Sequence, residues 1–400
     1  MHLDALLAHP AVRRACARVH ETDEQTLREQ RELVRIPAPS FAEAERAARV
    51  RARFEEIGLA RIERDEVGNV LARLGDPLEA AAEPVLVAAH LDTVFPAGTD
   101  LTPRTRGERI YAPGITDNAR GLAALLALAR VLADTGICTV RPLLLAATVG
   151  EEGVGDLRGV KHLFREGSPL RTAAAFISFD GSGSGRIVHR AVGSLRLRVT
   201  VRGPGGHSWA DRGTANPVQA LATGVAALRE LVPPPSTRSA LTVTRIGGGT
   251  SINSIPADAW AEIDIRSEMP SALSRLEAGV REAVSAAVEA SARGRGYRAR
   301  PLTLSWEVIG DRPSGATDPD SELVRTAVAV TRALGETAEL AGSSTDANVP
   351  ISLGIPAITI GVGGESGGVH TLEEWYCNRG GPRGIERALL IVLAAAGVAG

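Results

Sequence analysis

Acidic and histidine side chains recur in this sequence at the ends of apolar runs, where an open α/β sheet gathers its ligands. His90 directly follows the apolar run 84–89, and Asp92 lies two residues on. Glu151 and Glu152 follow the run 142–149, and Asp180 follows Phe179. Asp117 sits in Gly114-Ile115-Thr116-Asp117-Asn118, just ahead of an apolar helical stretch, and His370 lies in a glycine-rich loop beyond the run 355–362. One such group alone is usually a cap or a solvated surface residue. Several carboxylates converging on one cleft repel, and burying them unpaired is costly. A divalent cation removes both problems. Imidazole nitrogen and carboxylate oxygen without thiolate suit zinc, with manganese or cobalt as substitutes. One bridging carboxylate and a pair of further ligands per ion would use five of these residues for two metals. Asp92 is then free to hydrogen-bond His90 and fix its tautomer, and Glu151 to take the proton of an activated water.

In order, and over nearly the whole chain, a set of segments resembles the metallopeptidase family of peptidase T, glutamate carboxypeptidase and acetylornithine deacetylase. They are His90-Leu91-Asp92, the Gly-Ile-Thr-Asp-Asn segment, Glu151-Glu152-Gly153, Asp180, Gly205-Gly206-His207-Ser208 and His370-Thr371. The resemblance implies His90 and Asp180 on one zinc, Glu152 and His370 on a second, and Asp117 bridging them next to a cis peptide bond. It implies that Glu151 is the general base and then the acid to the leaving amine. His207 corresponds to the inserted-domain histidine that, in dimeric members, reaches the partner's active site and stabilises the oxyanion. Asn253, in Ile252-Asn253-Ser254-Ile255-Pro256, resembles the family's substrate-binding asparagine. Arg266 resembles its carboxylate-binding arginine, whose guanidinium can grip with two parallel bonds.

The residue at position 180 divides that family. Aminopeptidase-like members, peptidase T and the dipeptidases included, carry aspartate, whereas many deacylases and carboxypeptidases carry glutamate. Asp180, together with the segment 344–348, therefore implies a di- or tripeptidase acting on small peptides. The alternative is an N-acyl amino acid deacylase or carboxypeptidase with the same metal chemistry. Other classes fit less well. Gly206-His207-Ser208-Trp209-Ala210 lacks the second glycine of a serine hydrolase's nucleophile elbow. A purely metal-binding protein would have no use for Glu151. Gly247-Gly248-Gly249 has no following Lys-Ser or Lys-Thr and is not a phosphate loop; it reads as a close-approach turn beside the substrate.

The elements that must position these groups follow from periodicity. Residues 11–58 read as helices around a loop at 36–40, with Ser40 and Glu43 as a capping box for the second. Buried strands are expected at 84–89, 142–149, 174–179 and 355–362, with a buried helix at 121–132. Such interleaving gives an α/β fold, a mixed sheet flanked by helices. Between 188 and 309 the pattern changes. Strands at 194–202, 241–246, 260–266 and 302–308 and helices at 217–231 and 273–292 follow the order βαββαβ, the ferredoxin-like arrangement. A loop is expected at 232–236. The chain thus reads as a catalytic domain made of 1–187 and 310–400, interrupted by a lid or dimerisation domain at 188–309 that would pair two copies into a homodimer.

Composition sets outer bounds. With 400 residues, 44% of them hydrophobic and 23% charged, the chain can build a full core without staples. A formal charge of -2 excludes a nonspecific nucleic-acid binder. Cys16, Cys138 and Cys377 lie too far apart for a CxxC pair. Asp4, Arg13 and Arg14 interrupt any secretory apolar region, and the C-terminal apolar run 388–400 is too short to span a bilayer and reads as a buried helix. These features point to the cytoplasm, without a membrane partner.

Overall fold

The computed structural model describes residues 3–74, 83–231, 233, 236, 238–292 and 302–399. Most of the loop expected at 232–236 lies outside them. The contacts divide the chain into two units, Met1–Ala191 with Ala316–Gly400, and Val192–Gly315.

The larger unit is built on a mixed sheet. Its centre is four parallel strands in the order Leu143–Thr148, Val85–His90, Ala175–Phe179, Ala357–Ile360. Val85–His90 is buried along its whole length, as a strand covered on both faces must be. Its side chains alternate between two cores. Val85, Val87 and Ala89 join one, with the helices Pro10–Glu21, Ala119–Thr135 and Gly381–Ala396. Leu86 and Ala88 join the other, with Leu157, Val160 and Phe164. The apolar C-terminal run falls in the helix Gly381–Ala396, where Leu389, Leu390, Ile391, Val392 and Leu393 are all buried. No described helix is long and apolar enough to cross a membrane.

The capping box expected at Ser40 does not form. The helix begins at Ala44, and the Glu43 at its N-cap makes no side-chain cap bond. Glu43 instead accepts two hydrogen bonds from Arg158 Nη2, at 2.7 and 2.6 Å. Ser40 Oγ donates to Asp92 Oδ2 at 2.7 Å. A fully buried carboxylate gains more from a donor than an N–H that solvent can reach.

The smaller unit follows the βαββαβ order: Gly193–Arg202, Pro217–Ala227, Ser239–Gly248, Asp258–Ser267, Pro270–Ala292, Thr303–Arg312. Its sheet places the third strand beside the second and first, with the fourth outside the first, and every pairing is antiparallel. Leu195, Leu197, Val199 and Val201 alternate inward from the first strand onto Leu221, Val280 and Val284 of the two helices.

Candidate metal centre

Register brings the candidate residues of the larger unit to one end of its sheet. His90 pairs with Thr148, and Leu91 N donates to Thr148 O at 2.7 Å, so His90 emerges beside Glu151 and Glu152. Asn118 caps the helix Ala119–Thr135 by accepting from Gly121 N at 3.0 Å, while its Nδ2 donates to Phe179 O at 2.9 Å. That pins the residue after Asp117 to the strand end that carries Asp180. A Cβ at Gly121 would lie 2.2 Å from Asn118 Oδ1 and 2.4 Å from Phe179 O, so only glycine allows this approach. The peptide bond Asp117–Asn118 is cis.

The five expected ligands meet here. His90 Nε2 lies 3.0 Å from Asp117 Oδ1 and 3.8 Å from Asp180 Oδ1. His370 Nε2 lies 2.9 Å from Asp117 Oδ2 and 3.0 Å from Glu152 Oε1. Each oxygen of Asp117 thus faces a different histidine. His90, Asp117 and Glu152 offer ligand atoms within 4.8 Å of one another. His90 Nε2 and Asp117 Oδ1 are both buried and, despite their proximity, are not aligned as a hydrogen bond. Two buried polar atoms directed past each other fit a shared cation.

Charge points the same way. Hydrogen bonds to Asp117 and Glu152 push His370 up to about 10. Burial pulls His90 down, yet Asp117, Asp180 and Asp92 hold it well above the usual imidazole range. Burial raises Asp117, but the two histidines outweigh it and its carboxyl falls below the ordinary range. Glu152 is raised, chiefly by burial and further by Asp117. The cluster draws positive charge to itself, and its mixed nitrogen and oxygen donors suit a divalent metal.

The pattern of the family described as Peptidase family M20/M25/M40 matches residues 86–394, a span that holds every one of these side chains. The chain belongs to peptidase family M20/M25/M40. It is accordingly a metal-dependent hydrolase of amide bonds. Among its relatives, the uncharacterized protein YqjE of Bacillus subtilis is 26% identical over 88% of this chain and 93% of that protein. A succinyl-diaminopimelate desuccinylase of Caulobacter vibrioides is 27% identical over 86% of this chain and 88% of its own length. The aminopeptidase PepT of Bacillus cereus has the same fold, with a TM-score of 0.73 at 23% identity over 93% of this chain and 98% of that one.

Within this M20-type site, the tautomer of His90 is set differently from the sequence expectation. Nδ1 lies 3.0 Å from the backbone carbonyl of Asp92, whereas the Asp92 carboxylate stands 3.6 Å away. That carboxylate is occupied elsewhere: it accepts from Glu151 N at 2.8 Å, Glu152 N at 3.0 Å and Ser40 Oγ. One residue thus orients the histidine through its main chain and the glutamate pair through its side chain. Glu151 itself is buried, only 5% exposed.

In the smaller unit, His207 is exposed and held by its own turn. Nδ1 accepts from Trp209 N at 3.1 Å and Ala210 N at 3.3 Å, which leaves the ring proton on Nε2. The ladder Gly206↔Ile255 and His207↔Ser254, with Ser208 N on Asn253 O at 3.0 Å, brings His207 and Asn253 onto adjoining turns. Arg266 Nε donates to Asp264 Oδ2 at 2.7 Å, and the terminal guanidinium nitrogens make no hydrogen bond among the described residues. Of the glycines at 247–249, Gly247 lies against the ring of Trp260, which a Cβ there would meet at 2.9 Å, whereas Gly248 faces Ala259 and Gly249 faces Pro256.

Two further buried groups of this neighbourhood, Arg46 and Glu374, were not singled out by sequence, and a third, Asp346, lies in the segment 344–348 but had no role of its own there. Arg46 reaches Leu91 O at 2.8 Å and Ile36 O at 2.6 Å, tying the Ser40 loop to the end of the His90 strand. Burial pushes Asp346 up to about 6, and it accepts from Thr148 Oγ1 at 2.5 Å at the neighbouring strand end. Glu374, also buried, holds the backbone ahead of Asp117. An isolated charge, whether in a helix like Arg46 or in a loop like Asp346 and Glu374, reads as solvated, and only the tertiary fold shows otherwise.

Proposed function

We propose that this hydrolase is a di- or tripeptidase working with two zinc ions. The observation that carries the reading is the central position of Asp117, whose Oδ1 faces His90 at 3.0 Å and whose Oδ2 faces His370 at 2.9 Å. In this reading His90 and Asp180 would hold one ion, Glu152 and His370 would hold the other, and Asp117 would serve both. Zinc bound there supplies Lewis acidity to the scissile carbonyl and eases deprotonation of water. Glu151 takes the proton from the attacking water and passes it to the leaving amine. Its backbone is anchored by Asp92, so the proton carrier stays next to the ligand Glu152. His207, reaching the partner's active site in the homodimer, would stabilise the developing oxyanion with a hydrogen bond from Nε2–H. Asn253 and Arg266 bind the substrate, Arg266 through its terminal nitrogens on a carboxylate. The smaller unit serves as lid and homodimer contact, and the enzyme works in the cytoplasm with Cys16, Cys138 and Cys377 as free thiols.

Aspartate at position 180 favours peptides with a free amine. The succinyl-diaminopimelate desuccinylase among the relatives favours the second reading, deacylation of N-acyl amino acids. Zinc-loaded protein assayed for released amine on di- and tripeptides and on N-acyl amino acids separates the two. Cleavage of free-amine peptides supports the peptidase, whereas cleavage confined to N-acyl substrates moves the activity to deacylation.

A further inference from the structure

The Asp117 segment hangs on one carboxylate. Glu374 is 0% exposed. Its Oε2 accepts from Gly114 N at 2.9 Å, and its Oε1 accepts from Thr116 N at 2.8 Å and Asp117 N at 3.1 Å. Its own carbonyl accepts from Ala112 N at 3.0 Å. The antiparallel pairing of Trp375–Cys377 with Arg109–Tyr111 delivers Glu374 to this place. On its other side Glu374 belongs to the turn that carries His370, since Glu374 N donates to Thr371 O at 3.2 Å and Thr371 N to Gly368 O at 3.0 Å. One side chain therefore joins the loop of Asp117 to the loop of His370, two groups whose side chains meet at 2.9 Å.

From this geometry we infer that Glu374 is a positioning residue that sets Asp117 against His370 and so tunes metal affinity. The inference rests on the metal-centre reading of these residues. Three main-chain N–H groups converging on a buried carboxylate need both of its oxygens. A glutamine of the same shape keeps one acceptor and turns an NH2 group towards an N–H, so the Asp117 backbone must shift. Carboxylates that orient a metal's ligands typically change its affinity about 10- to 100-fold when removed.

The test is zinc affinity, read by competition with a chromophoric chelator, in wild type, Glu374→Gln and Glu373→Gln. Glu373 is the exposed neighbour and serves as control. The expected result is zinc binding about 10- to 100-fold weaker in Glu374→Gln, with the metal-free protein melting within about 3 °C of wild type. Glu373→Gln should bind as wild type does. Equal zinc affinity in Glu374→Gln and wild type overturns the inference, as does a lower melting temperature with affinity unchanged. Failure of the wild type itself to bind zinc would instead remove the metal-centre reading. If Glu374→Gln does not fold, Glu374→Asp, which keeps the charge but withdraws it by one methylene, is held to the same outcomes.

Discussion

At the residue scale the proposed chemistry falls to Asp117 and Glu151, and the backbone around each is anchored from elsewhere in the fold. Asp117 follows a loop tied to Glu374 and precedes a helix start tied to Phe179. Glu151 N and Glu152 N, just beyond a strand end, both donate to the Asp92 carboxylate. Changing Glu151→Gln preserves shape and leaves the five ligands in place, so the variant should keep its bound zinc and melting temperature while kcat falls about 10²- to 10⁴-fold. Turnover close to wild type would remove Glu151 from the proton transfer. The thiols give an independent check on local environment. Burial, with Glu386 beside it, pushes Cys16 up to about 12, whereas Cys138 is exposed. At pH 8 iodoacetamide should therefore modify Cys138 and spare Cys16, as peptide mapping would show; early labelling of Cys16 would contradict its burial.

At the scale of elements, the site depends on how closely the helix Ala119–Thr135 approaches the strand Ala175–Phe179. Gly121→Ala places a methyl against Asn118 and the Phe179 carbonyl, so the helix start must move and Asp117 with it. The expectation is a lower melting temperature together with weaker zinc binding. Gly136 closes the same helix in a left-handed turn, where a Cβ meets open space. Gly136→Ala should cost about 1 kcal/mol of stability and leave zinc affinity unchanged. Equal zinc affinity in both variants, measured by chelator competition, would show that the helix start does not position the site.

The strands, this helix and the cluster of candidate ligands were legible in sequence because burial on both faces makes long apolar runs, and the acidic and histidine candidates stand where those runs stop. The hydrogen bonds that orient the ligands were not. Ser40 looks like a helix cap, yet it bonds Asp92 across 52 positions, and Glu374 acts on Gly114 from 260 positions away. The Asp92 carboxylate could be placed near His90 from sequence, but nothing in the residue order tells its carbonyl from its carboxylate as the group that meets Nδ1.

For the molecule as a whole, the five metal candidates all belong to Met1–Ala191 with Ala316–Gly400, whereas His207, Asn253 and Arg266 belong to Val192–Gly315. Metal binding should then stabilise one unit selectively. Zinc at about a hundredfold excess over Kd contributes about 2.7 kcal/mol. Amide hydrogen exchange should slow in Val85–His90, Leu143–Thr148 and the His370 loop, and not in Ser239–Gly248 or Asp258–Ser267. Equal protection in the strands of the smaller unit would contradict the assignment of every ligand to the larger one.

The most direct test of the central claim is zinc stoichiometry measured alongside tripeptide cleavage during removal and return of the metal. The account predicts two zinc ions per chain, loss of cleavage as a chelator removes them, and recovery as zinc is restored. Cleavage that persists in metal-free protein, or a chain that binds no zinc, would contradict it.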